Sequence, residues 1–201
     1  MSITKELIKI EECYVNTLSY KNSSNKNVVL LHGAKFNAKT WDDLGTINFL
    51  GQKGYSVTAI DMPGFGESPY CTMEQIEILK RVINELKLHT PIILGPSMGG
   101  RITLNFYFAN PDIPKALILV GTVGVEENAP KIKGNGILIP TLIVWGEKDE
   151  IAPLRYANFL HEHIKNSKLV IMDDAPHPCY LKDPDKFHTI IENFLQEVFD
   201  E

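Results

Sequence analysis

Short continuous apolar runs alternate with segments of helical periodicity along most of this chain. Val28-Val29-Leu30-Leu31, Val57-Thr58-Ala59-Ile60, Ile92-Ile93-Leu94, Ala116-Leu117-Ile118-Leu119-Val120 and Leu142-Ile143-Val144-Trp145 have the character of strands buried on both faces. Lys168-Leu169-Val170-Ile171-Met172 is a sixth, near the C-terminus. Between them the spacing predicts helices over about Thr40 to Lys53, Met73 to Leu86, Met98 to Ala109, Ala152 to Ile164 and Asp183 to Phe199. The last carries Phe187, Ile190, Ile191, Phe194, Leu195 and Val198, a core-facing stripe at helical spacing. Such alternation predicts an α/β fold, with a mainly parallel sheet covered by helices on both faces. The start differs, because Ile8 to Glu12 and Cys13 to Tyr20 read as two short strands before the turn-rich Lys21-Asn22-Ser23-Ser24-Asn25. Pro111, Pro114, Pro140 and Pro153 fall at element boundaries, where a missing N–H does least harm. No repeat, low-complexity tract or linker divides the chain, so residues 1–201 are expected to form one domain.

Composition narrows the class without changing this picture. Of 201 residues 44 % are apolar and 22 % charged, ordinary values for a globular chain with a sizeable core. A formal net charge of −5 argues against nucleic acid as the main partner, since phosphate binding needs a basic surface. No apolar stretch approaches the roughly 20 residues of a membrane span, so no membrane association is expected. Met1-Ser2-Ile3-Thr4-Lys5-Glu6 lacks the apolar region of a signal peptide. Cys13, Cys71 and Cys179 are odd in number and have no C-x-x-C spacing, which predicts no disulfide framework and a reducing, cytoplasmic setting.

The chemistry concentrates after the strands. Gly95-Pro96-Ser97-Met98-Gly99 is a G-x-S-x-G pattern between an apolar run and a predicted helix, the strand–turn–helix setting of a nucleophile elbow. His32-Gly33-Ala34-Lys35, Asp61-Met62-Pro63-Gly64, Glu147-Lys148-Asp149 and His177 each follow another predicted strand. In open α/β sheets ligands bind beyond the carboxyl ends of the strands, and all these candidates fall there. An unactivated serine needs a base, itself oriented by a third group. Ser97, Asp149 and His177 supply nucleophile, orienting acid and base in the chain order that goes with such an elbow. Backbone N–H groups of Met98, at the start of its helix, and of Ala34 are the expected oxyanion donors.

Other residues weigh less. Gly99 and Gly100 read as close-packing residues under the elbow, and Pro96 as a stiffener of the approach to it. Lys35 and Cys179 are candidate pocket residues, each weighed against a plain reading as an exposed lysine and a satisfied loop cysteine. Glu147 is the rival acid, while Asp173 and Asp174 precede His177 by too little to fit the expected loop. Asp61 and His32 read as residues that hold loop geometry. His161 and His163, two apart on a predicted helix, face different ways and make a weak metal pair, so no metal is expected.

Together the His32-Gly33 loop, Asp61-Met62-Pro63-Gly64-Phe65-Gly66-Glu67-Ser68, the Ser97 elbow and the placement of Asp149 and His177 resemble the α/β-hydrolase superfamily over nearly the whole chain. More narrowly, His32-Gly33-Ala34-Lys35-Phe36, Thr40-Trp41, Leu44-Gly45-Thr46, Pro96-Ser97, His177-Pro178-Cys179-Tyr180-Leu181 and Asp183-Pro184 are similar to the small, lid-less α/β-hydrolase-domain-containing protein 14 family. The elbow differs from that family's in carrying Gly95, not serine, before the proline. Only Gly121 to Ile139 separates two strands where lidded relatives insert several helices, so a minimal or absent cap is expected. The resemblance implies a serine esterase or deacylase acting on short acyl esters, with transfer of an acetyl group from protein lysine to coenzyme A as a further activity. No cofactor is required, coenzyme A being an alternative acyl acceptor to water, and a monomer is expected. The alternative is a non-catalytic binding protein on the same scaffold, which the intact Ser97, Asp149 and His177 argue against. A dehalogenase or epoxide hydrolase needs a carboxylate at the elbow, where this chain has serine.

Overall fold

The computed structural model describes residues 2–134 and 136–200. The elements run β1 (Thr4–Ile10), β2 (Cys13–Tyr20), β3 (Asn27–Leu30), α1 (Ala38–Asp43), α2 (Thr46–Gln52), β4 (Ser56–Ile60), α3 (Gln75–Glu85), β5 (Ile92–Pro96), α4 (Met98–Ala109) and β6 (Ala116–Val120). They continue with α5 (Val125–Gly134), β7 (Thr141–Gly146), α6 (Arg155–His163), β8 (Ser167–Met172), α7 (Cys179–Lys182) and α8 (Pro184–Asp200). The eight strands of the described residues form one sheet in the order β1-β2-β4-β3-β5-β6-β7-β8. Only β1 and β2 run antiparallel to their neighbours, and β4 through β8 pair in parallel with β3 among them.

Side-chain alternation along the central strands divides the core between two faces. Val28 and Leu30 of β3 point to one face with Trp41 of α1, Leu50 of α2 and the Phe187, Ile191, Phe194, Leu195 stripe of α8. Val29 of β3 and Ile93 of β5 point the other way, onto Ile78, Leu79 and Val82 of α3 and Ile102 and Phe106 of α4. Leu117, Leu119, Ile143 and Trp145 continue that second face under α4, α5 and α6. A mostly parallel sheet with helices on both faces is therefore observed. Among the described residues a single ten-residue helix, α5, occupies the stretch between β6 and β7, so the cap is minimal.

Two of the departures from the expected element boundaries have local reasons. The helix expected over Thr40 to Lys53 is split into α1 and α2 by Gly45 at φ +73°, a left-handed conformation that stops a right-handed helix. β1 begins at Thr4, four residues early, because it is an edge strand paired only with β2 and keeps Lys5, Glu6 and Leu7 exposed. Without a buried face, those residues show no alternation to read.

The cysteines also depart from expectation. Cys13, at the start of β2, is disulfide-bonded to Cys71, with their Cα atoms 5.6 Å apart. An odd total says nothing about whether two of three thiols meet, and the pairing removes the ground on which they pointed to a reducing compartment. Cys179 is free and buried. The bond closes a chain separation of 58 residues, so loop-closure entropy assigns it about 4 kcal/mol. Cys71→Ser is expected to lower the denaturant midpoint accordingly, and a thiol reductant should lower that of the wild type but not that of the variant. A wild-type midpoint indifferent to reductant refutes the stabilising cross-link. Among the described residues, no helix is long and apolar enough to cross a membrane.

Candidate active site

The carboxyl edge of the parallel strands carries every candidate. β5 ends at Pro96, and the chain turns through Ser97 directly into α4. Ser97 sits at φ +51°, ψ −113°, a backbone conformation costly for any residue with a Cβ. It is held there by its N–H donating to Val120 O at 2.9 Å and its carbonyl accepting from Arg101 N–H at 3.1 Å. The glycines make the turn feasible. A Cβ on Gly95 would lie 2.3 Å from Gly99 O, and one on Gly99 would lie 2.8 Å from His32 O. A Cβ on Gly100 would lie 2.3 Å from Thr122 Oγ1, so Gly99 and Gly100 are close-packing residues, as the sequence suggested.

Asp149 lies in the loop after β7 with its side chain fully buried. Its Oδ1 accepts the N–H groups of Ile151 at 2.9 Å and Ala152 at 2.7 Å, and Trp145 Nε1 donates to Ala152 O at 2.7 Å from below. The other oxygen, Oδ2, is 2.8 Å from His177 Nδ1, in the loop after β8. A carboxylate only accepts, so Nδ1 carries the proton and, in the neutral ring, Nε2 keeps its lone pair. That Nε2 is buried and has no hydrogen-bond partner among the described residues. Buried polar atoms are normally satisfied, so an orphan acceptor beside a pocket marks a place where a hydrogen-bond donor belongs.

Ser97 and His177 line one pocket of about 310 Å³, together with Gly33, Ala34, Lys35, Phe36, Pro96, Ile151, Pro178 and Tyr180. Met98 opens α4, so its N–H has no carbonyl a turn earlier within the helix. Ala34 is exposed on the pocket wall. Lys35 also lines the wall. Cys179 is not: it points into the α8-side core, where burial pushes its thiol up to about 12. The one-residue step along α7 puts Tyr180, rather than Cys179, at the pocket, and burial likewise raises the Tyr180 phenol.

The rival residues have other partners. Glu147 is exposed and accepts the Asp174 N–H at 2.9 Å, while Asp174 pairs with Lys148. Asp173 pairs with Lys186. Asp61 accepts from Ala38 N–H at 2.6 Å, Asn16 Nδ2 at 2.9 Å and Glu67 N–H at 2.8 Å, and so ties three segments together as a structural residue. His32 Nε2 accepts the Met62 N–H at 3.1 Å and its Nδ1 lies 2.9 Å from Gly33 O, which stitches the pocket loop to the loop after β4. Burial lowers its pKa below the ordinary 6.5 and favours this neutral form.

Sequence reasoning missed Gly121, which follows β6 at φ +48°. A Cβ there would meet Asp149 Oδ2 at 3.1 Å and His177 Nδ1 at 3.3 Å, so this glycine leaves room for the acid–imidazole pair. Its only signal is a glycine directly after a buried strand at the same sheet edge. Phe36, Ile151, Pro178 and Tyr180 were also missed as walls, because wall membership depends on how loops pack.

A family model described as "alpha/beta hydrolase fold" matches residues 26–135, and one described as "TAP-like protein" matches residues 121–198. The Rattus norvegicus "Putative protein-lysine deacylase ABHD14B" is 34 % identical over 185 residues, covering 86 % of this chain and 84 % of its own. Mus musculus "Protein ABHD14A" is 31 % identical over 190 residues, covering 92 % of this chain and 76 % of its own. The crystal structure of a "predicted CIB-like hydrolase" from Thermoplasma acidophilum superposes with a TM-score of 0.93 at 28 % identity, covering 98 % of this chain and 99 % of its own.

Proposed function

The chain belongs to the α/β-hydrolase fold family, and on that premise we propose that it is a serine hydrolase cleaving short acyl esters and acyl-lysine amides through an acyl-enzyme. The observation that carries the reading is the His177 imidazole. Its Nδ1 is engaged by Asp149, and its Nε2, on the pocket that Ser97 shares, is buried with no partner among the described residues. An imidazole fixed in that tautomer is a base waiting for a hydroxyl proton.

Ser97 Oγ attacks the acyl carbonyl while His177 Nε2 takes its proton and Asp149 stabilises the imidazolium. The carbonyl electron pair moves onto oxygen, where the N–H groups of Met98 and Ala34 are the proposed donors. Collapse expels the alcohol or amine, which takes the proton from His177, and leaves an ester on Ser97. Water, deprotonated by His177, then releases the acid and restores the serine. Coenzyme A in place of water would yield an acyl-coenzyme A from the same acyl-enzyme. The name of the rat relative supports acyl-lysine as one substrate class.

A fluorophosphonate probe tests this directly. One equivalent is expected to react, with mass spectrometry placing the adduct on Ser97, and acetylated peptide should slow the reaction. No adduct, or an adduct elsewhere, refutes the reading and favours a non-catalytic binding protein. Adding coenzyme A to an acyl-lysine peptide and measuring acetyl-coenzyme A separates transfer from hydrolysis.

A further inference from the structure

The pocket wall is apolar for most of its area, through Phe36, Pro96, Ile151, Pro178 and Tyr180, yet it carries one cation. Lys35 follows the proposed oxyanion donor Ala34 and is exposed at the wall. It takes part in no ion pair among the described residues. Lys39, four residues on, is by contrast held by Asp43, and Lys5 by Glu67. Among the described residues no acid stands on the wall, since the Asp149 carboxylate is fully buried behind His177. On a chain of formal net charge −5, Lys35 is therefore the unpaired cation lining the mouth beside Ser97 among the described residues. A cation at the rim of an apolar cleft concentrates anions there and repels ammonium groups.

We propose that Lys35 is a specificity-determining residue that selects substrates bearing an anionic group close to the scissile acyl bond, a proposal that rests on the serine-hydrolase reading above. The favoured substrates are monoesters of short dicarboxylic acids, or acyl esters whose leaving group carries a carboxylate. Both present the same chemistry to Lys35, so the test has one arm for each.

The first arm compares kcat/KM for p-nitrophenyl hemisuccinate with that for p-nitrophenyl acetate. The second compares 4-acetoxybenzoate with phenyl acetate. Each ratio is measured for the wild type, Lys35→Met and Lys35→Glu, so intrinsic ester reactivity cancels between proteins. At low ionic strength at least one anionic-to-neutral ratio is expected to fall about tenfold in Lys35→Met, and further in Lys35→Glu. The arm that responds identifies whether the anion sits on the acyl or the leaving side. Added salt should compress the wild-type preference and leave that of Lys35→Met nearly flat. Ratios that do not move with the charge at position 35 overturn the proposal while leaving the hydrolase reading in place. Failure of the wild type to cleave any of the four esters, with no fluorophosphonate adduct, overturns both.

Discussion

Ser97→Ala is expected to lower kcat/KM for p-nitrophenyl acetate by at least about 10⁴-fold while leaving the fold in place. The argument begins with the backbone. The strain at φ +51° is imposed by contacts that do not involve the hydroxyl: the Ser97 N–H on Val120 O, the Ser97 carbonyl under Arg101, and the glycines that admit the turn. Alanine keeps all of them, and among the described residues the Ser97 side chain makes no cap hydrogen bond to α4 that alanine would lose. A thermal melt should therefore place Ser97→Ala close to wild type. Ser97→Gly is the informative companion, since removing the Cβ relieves the conformation that makes the site costly. It should melt above Ser97→Ala and be equally inactive. That pattern would mean the chain holds a strained backbone to present the hydroxyl. Retention of more than about a hundredth of the wild-type rate in both variants excludes Ser97 as the nucleophile.

How much of this was legible in the sequence depended on whether a feature is local. β6 and α4 were read to the residue, because a five-residue apolar run and an elbow followed by helical spacing each declare their own ends. α5 was not seen. Glu126, Glu127, Lys131 and Lys133 leave only Val125, Asn128 and Ile132 buried, and Pro130 sits inside the helix, so neither period nor propensity announces it. The Asp149–His177 pair was legible from placement at one sheet edge, a consequence of topology that the alternation of elements already encodes. Residues that act by proximity across loops were not. Gly121 lies 28 residues from Asp149 and 56 from His177, and only the folded chain reveals that its missing side chain makes room for them. The Cys13–Cys71 pairing fails for the same reason: it joins a hairpin strand to a loop that only tertiary packing brings beside it.

Asp149→Asn carries the second large expectation, a loss of about 10⁴-fold in kcat with little change in stability. Asp149 has two separable tasks. Its Oδ1 staples the loop through the N–H groups of Ile151 and Ala152, and its Oδ2 holds His177 Nδ1. Asparagine can keep the first, because its carbonyl oxygen still accepts from both N–H groups. That choice turns its NH₂ toward His177 Nδ1, and an NH₂ only donates. Nδ1 must then become the acceptor, so the imidazole proton moves to Nε2, the atom that has to accept from Ser97. The ring stays where it is with the wrong nitrogen protonated. Asp149→Ala removes both tasks, so it should lose activity similarly and in addition destabilise the protein by about 1–2 kcal/mol through the two lost loop bonds. Nitrogen-15 shifts of His177 provide the check that a purely structural role would not move: the Nδ1–H tautomer in the wild type, the Nε2–H tautomer in Asp149→Asn. An Asp149→Asn protein that keeps its activity would reduce Asp149 to a loop staple and return Glu147, the rival acid of that loop, to consideration.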